Sequence, residues 1–183
     1  MSKYNADLIE TRLKEFREEM LTYKGIRTIL FDADNTLYLW SYVGKVEESL
    51  LQHHNKGFYK NLPVFNEAPS VIENLQKFGL RVGICSKFSP GYAYEEKLQS
   101  FRYHFPTVLD SDIILVPQDD DKIKYVDDIR HTILVDDFHG NINQFYEAGG
   151  VAIKKSYSNK ERPVPCVHSL IDLFPLLHNL NFI

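Results

Sequence analysis

Two carboxylates, Asp32 and Asp34, stand two residues apart directly after the apolar run Ile29-Leu30-Phe31, and Thr36 follows at the same spacing. A short apolar run of this kind reads as a buried strand. Acids at a strand tip suit phosphoryl transfer. One carboxylate attacks phosphorus and carries the phosphoryl group, which divides a slow hydrolysis into two easier steps. A second carboxylate protonates the leaving oxygen and then activates water. Asp32, at the tip, suits the first role. Asp34 points to the same side if the chain stays extended, and suits the second. Two acids in one crevice are unfavourable alone, so this chemistry requires partners from elsewhere in the chain.

Later apolar runs supply them. Leu80 to Cys85 leads into Ser86, Ile113 to Val116 is followed by Lys122 and Lys124, and Thr132 to Val135 ends in Asp136-Asp137. Parallel strands bring such ends to one sheet edge, where ligands of open α/β folds bind. Ser86 can donate to a phosphate oxygen. A lysine can neutralise both Asp32 and the phosphoryl group; residue type leaves Lys122 and Lys124 as equal candidates. Several carboxylates in one crevice attract Mg²⁺, which prefers oxygen ligands. Asp32, Asp136 and Asp137 offer carboxylates and Asp34 a carbonyl. His53, His54 and His139 form no zinc-like pattern. The Gly-x-Ser-x-Gly elbow of serine hydrolases is missing. The run Asp119-Asp120-Asp121 reads as a solvated loop.

These residues must be positioned by alternating strands and helices. Apolar spacing predicts a helix over about 5–23, with Leu8, Ile9, Leu13, Phe16, Met20 and Leu21 on its inner face. Further helices are expected over about 69–78, 92–101, 141–148 and 169–177, and a fifth strand over 151–153. Strands alternating with helices imply a doubly wound α/β domain, a Rossmann-like parallel sheet covered on both faces. One domain, 1–183, is expected, with an N-terminal helix within 1–24. Residues 38–66 form a small helical cap insertion, including a helix over about 46–56. Its aromatics Trp40, Tyr42, Phe58 and Tyr59 could stack on a base or pack on the core.

Composition narrows the function classes. The formal charge of −4 argues against a broad nucleic-acid-binding surface. No apolar stretch has membrane-span length. The first residues lack the apolar core of a signal peptide, and cysteine is confined to Cys85 and Cys166. A cytoplasmic protein in a reducing compartment is expected. Homo-oligomer formation is left open.

Taken together, Phe31-Asp32-Ala33-Asp34-Asn35-Thr36-Leu37, Ser86, a downstream lysine and Leu134-Val135-Asp136-Asp137 resemble the haloacid dehalogenase superfamily of phosphohydrolases, over about 28–153. The resemblance implies Asp32 as nucleophile, Asp34 as general acid and base, Ser86 and a lysine on phosphate, and late acids on Mg²⁺. Gly57-Phe58-Tyr59-Lys60-Asn61-Leu62-Pro63, the Asp121-Lys122 pair and Lys155-Ser156-Tyr157-Ser158-Asn159 are similar to the cytosolic 5'(3')-deoxyribonucleotidase family. That similarity favours Lys122 over Lys124 and implies a nucleoside monophosphate substrate. The chain departs from that family at Asn35-Thr36, where the family has Gly-Val, and in its shorter cap. The short cap and Leu37-Tyr38-Leu39-Trp40 also resemble the magnesium-dependent phosphatase-1 family, which implies a phosphoprotein or sugar phosphate instead.

Overall fold

A computed structural model of the chain describes residues 4–40 and 55–183. Six strands form one parallel sheet: β1 (Thr28–Phe31), β2 (Arg81–Phe88), β3 (Ile113–Pro117), β4 (Thr132–Asp136), β5 (Val151–Lys155) and β6 (Cys166–Val167). Their order is β3-β2-β1-β4-β5-β6. The order reverses between β1 and β4, and a crevice opens beyond the carboxyl ends of strands at such a switch point. β1 and β4 are paired in register, Phe31 opposite Val135, so Asp32 and Asp136 emerge side by side.

The central strands are buried on both faces, which is why they read as unbroken apolar runs rather than alternating ones. β2 runs farther than expected, through Ser86 to Phe88. β3 continues to pair with it there, Ser86 opposite Leu115 and Phe88 opposite Pro117. Ser86 is therefore held inside a strand, not in a turn after one. β6 pairs over only two residues, Cys166 and Val167, too short a run for an alternation pattern.

Among the described residues five α-helices accompany the sheet: α1 (Ala6–Thr22), α2 (Ala68–Lys77), α3 (Ala93–His104), α4 (His139–Glu147) and α5 (Leu173–Asn179). In α1 the Asn5 side chain accepts from the Leu8 amide and caps the first turn. Its buried stripe is Ile9, Arg12, Phe16 and Met20; Leu21, expected inside, is exposed. Arg12 belongs inside because its guanidinium donates to the carbonyls of Gly149 and Arg130 and to Glu19. This helix packs on α4 and β5 of its own chain. Pro69 lies in the first turn of α2, where a missing N–H is harmless. Gly79 ends that helix at φ +83°.

The helix expected over about 46–56 falls mostly outside the described residues, as do Tyr42, His53 and His54. The two legs of the 38–66 insertion are described. Leu39 donates to Pro63 at 2.8 Å and Phe65 to Leu37 at 2.9 Å, so the legs pair as a short antiparallel ladder. No described helix is long and apolar enough to cross a membrane.

Candidate active site

The tight turn after β1 sets the first part of the site. The Ala33 carbonyl accepts from the amides of Thr36, Leu37 and Tyr38 at 2.9–3.2 Å. Asn35 takes a left-handed conformation, φ +58°. Asn and Gly are the residues that adopt it most readily. The departure from Gly at this position therefore keeps the backbone the turn needs.

Lys122, in the short 3-10 turn after β3, is 1% exposed. Its ammonium donates to Asp32 Oδ1 at 2.6 Å and to Asp136 Oδ2 at 2.7 Å. Burial works against its charge, but Asp136 and Asp32 outweigh that and raise its pKa above the ordinary lysine value. Two donors are used and a lysine has three. Lys124 points elsewhere: it is exposed and pairs with Asp120. Of the two candidate lysines, the structure brings Lys122 to the acids and leaves Lys124 on the surface. Asp120 also accepts from Tyr125, and Asp121 accepts from Gln144, so the acidic run there is a bonded loop.

Asp136 is fully buried and also accepts from the Phe138 amide at 2.7 Å and Asn141 Nδ2 at 2.9 Å. Burial pushes its pKa up, and Lys122 and the Phe138 amide pull it down. Carboxylate oxygens of Asp32, Asp136 and Asp137 lie within 4.8 Å of one another. Burial, with Asp32 and Asp136 beside it, pushes the Asp137 carboxyl up to about 8. Lys154 reaches the backbone carbonyl of Asp137. Three hard oxygen donors converging with one bridging ammonium fit a divalent cation such as Mg²⁺.

Asp34 is engaged on the β2 side of the same crevice. Its Oδ2 accepts from Lys97 at 2.7 Å, and its side chain keeps 31% of its surface exposed. Burial raises its pKa, Lys97 lowers it and Asp32 raises it again; the balance lies above the usual carboxylate range, which suits a proton donor. Ser86 Oγ accepts from the same Lys97 at 3.0 Å.

Lys97 is a functional candidate that the sequence reading did not contain. A lysine among Glu95, Glu96 and Gln99 reads as solvent-facing. One signal was available: Ala93, Lys97 and Phe101 recur at intervals of four on one helix face, and all three are buried. Among the cap aromatics, Tyr59 is buried against Lys97, 4.6 Å from ring centroid to ammonium, and Phe58 packs edge-on to Trp40 at 6.1 Å. Phe138, next to Asp137, and Tyr157, whose hydroxyl donates to the Asn35 carbonyl at 2.6 Å, are exposed rings beside the site, at 54% and 56%.

No protein-family model and no curated protein matches this sequence. Solved structures share its fold. A dehalogenase aligns at 18% identity and a TM-score of 0.57, over 85% of this chain and 98% of its own. A haloacid dehalogenase-like family hydrolase from Xanthomonas campestris aligns at 11% identity and 0.61, over 87% and 94%. A D,D-heptose 1,7-bisphosphate phosphatase from Burkholderia thailandensis aligns at 10% identity and 0.54, over 80% and 97%. The Rossmann-like α/β architecture of haloacid dehalogenase-type hydrolases is thus the architecture of this chain.

Proposed function

We propose that this chain is a Mg²⁺-dependent phosphomonoesterase of the haloacid dehalogenase superfamily that works through an aspartyl-phosphate on Asp32. One observation carries the reading: the carboxylates of Asp32, Asp136 and Asp137 converge, and Lys122 bridges the first two. The Asp34 carboxyl favours phosphate over halide as the leaving chemistry. A halide departs without a proton, whereas the oxygen of an alkyl phosphate needs one.

In the first step a carboxylate oxygen of Asp32 attacks phosphorus and the phosphorus–oxygen ester bond breaks. Its electron pair goes to the departing oxygen, which takes the proton of Asp34 and leaves as an alcohol. In the second step the Asp34 carboxylate removes a proton from water. The hydroxide attacks phosphorus, and Asp32 is released as a carboxylate together with inorganic phosphate. The third N–H of Lys122 and the hydroxyl of Ser86 bind phosphoryl oxygens. Asp32, Asp136, Asp137 and the Asp34 carbonyl would hold Mg²⁺, which would offset the excess carboxylate charge and polarise the phosphoryl group.

The substrate proposed is a nucleoside monophosphate. Support comes from the exposed rings of Phe138 and Tyr157 beside the site, because such rings stack on bases. The 38–66 insertion acts as the small cap of a single domain. A panel of nucleoside monophosphates, sugar phosphates and phosphotyrosine peptides, with Mg²⁺ or EDTA, tests this. Metal-dependent phosphate release that is fastest from nucleotides is expected. Equal rates on sugar phosphates would remove the nucleotide assignment, and no release from any member would remove the phosphatase.

A further inference from the structure

We infer that Lys97 is a positioning residue of the reaction: it aims the carboxyl of Asp34 and the hydroxyl of Ser86 without touching the substrate. The inference rests on the phosphatase reading above. Its physical basis is the geometry of one ammonium. Lys97 Nζ donates to Asp34 Oδ2 at 2.7 Å, Ser86 Oγ at 3.0 Å and the Lys87 carbonyl at 2.7 Å. A lysine has three donors, so Lys97 has none left for a phosphoryl oxygen. Its contribution must pass through its acceptors.

Each acceptor gains a direction. Lys97 makes the one hydrogen bond that reaches the Asp34 carboxyl from a described residue, and Oδ1 of that carboxyl is buried without a partner among them. Nothing else described fixes the orientation of the proposed proton donor. Ser86 accepts the Lys97 bond on a lone pair, so its own O–H remains available to donate. The Lys87 carbonyl anchors the ammonium to β2 itself.

The surroundings hold Lys97 in place. It is 1% exposed, and the Tyr59 ring covers it. The preceding residue, Glu96, accepts from the amides of Gly57 and Tyr59. Consecutive residues of α3 thus grip the returning leg of the insertion and the proposed proton donor.

The experiment compares Lys97→Met and Lys97→Arg with the unaltered enzyme on alkyl phosphates and on p-nitrophenyl phosphate, with Mg²⁺ saturating. Nitrophenolate leaves without a proton, so phosphoenzyme formation from that substrate has little need of an aimed Asp34, and kcat/KM reports that half-reaction apart from the Asp34-assisted hydrolysis both substrates share. General acid catalysis contributes about 10²–10⁴-fold. Lys97→Met is therefore expected to lower kcat/KM on alkyl phosphates by at least about 10²-fold and on p-nitrophenyl phosphate by less than about tenfold. In an Asp34→Asn background the Lys97 change should cost little more. Lys97→Arg keeps the charge but cannot serve three acceptors around one nitrogen, and it should shift the ratio in the same direction by less. It carries the test should Lys97→Met not fold. Equal losses of kcat/KM on both substrates in a folded variant would overturn the positioning role and leave the phosphatase reading intact. Absence of Mg²⁺-dependent turnover in the unaltered protein would overturn that reading, and this inference with it.

Discussion

Two buried lysines divide the site, and they differ in one hydrogen. Lys122, between β1 and β4, gives two donors to Asp32 and Asp136. Lys97, between β1 and β2, gives all three to Asp34, Ser86 and the Lys87 carbonyl. The first has a donor to spare and stands among more carboxylates than it can neutralise. In the proposed reaction that half takes up a cation and a phosphoryl group. The second is saturated, and its half is built to hold side chains still. A lysine's role in a buried cluster is therefore read from its unused donors as much as from its charge.

The largest expected effect breaks the first half outright. Asp32→Asn replaces the proposed attacking carboxylate with an amide, and kcat should fall at least about 10⁴-fold while the thermal unfolding curve stays close to that of the unaltered protein. Lys122→Met comes next and sharpens the contrast between the two lysines. It leaves two buried carboxylates without their counterion, which destabilises by about 3–5 kcal/mol and removes turnover. Added Mg²⁺ should restore part of that stability, because the cation replaces the lost charge. Urea unfolding with and without Mg²⁺ checks both points.

A metal arm follows. EDTA should abolish turnover, and Asp137→Asn should raise the Mg²⁺ concentration for half-maximal rate by about tenfold, or about 1.4 kcal/mol. A metal-titrated rate curve measures it. Arg12→Met should lower stability by about 2 kcal/mol and leave kcat unchanged, because Arg12 ties α1 to Gly149 and Arg130 far from the acids. The smallest effect is at the other candidate lysine. Lys124→Met removes only an exposed pair with Asp120, and its kcat should stay within about twofold, as surface pairs contribute little.

Much of this was legible in the residues because one physical pattern repeats. Ile29 to Phe31 and Thr132 to Val135 are runs that a doubly covered parallel strand requires, and the half-buried edge strand over Ile113 to Val116 is apolar as well. Each leads to a polar group, and parallel pairing carries those groups to one edge. Asp32, Asp34, Ser86, Lys122, Asp136 and Asp137 could be named from this pattern and the resemblance it carries. What stayed hidden has equally physical causes. Ser86 lies within β2 because β3 keeps pairing past Cys85, a long-range contact with no local signal. Lys97 and Arg12 are cations on buried helix faces, where partners distant in sequence satisfy them. Hydrophobic periodicity counts such positions as exposed. β6 is two residues held by its neighbour β5, and no run that short has a period.

The central claim is a covalent bond between Asp32 and phosphorus. A single turnover with excess enzyme and a nucleoside monophosphate, quenched in acid and followed by intact mass and peptide mapping, tests it directly. The mass of one phosphoryl group should appear transiently on the peptide that contains Asp32, and only when Mg²⁺ is present. Turnover that proceeds with no phosphorylated protein, or with the group on another residue, would contradict the account.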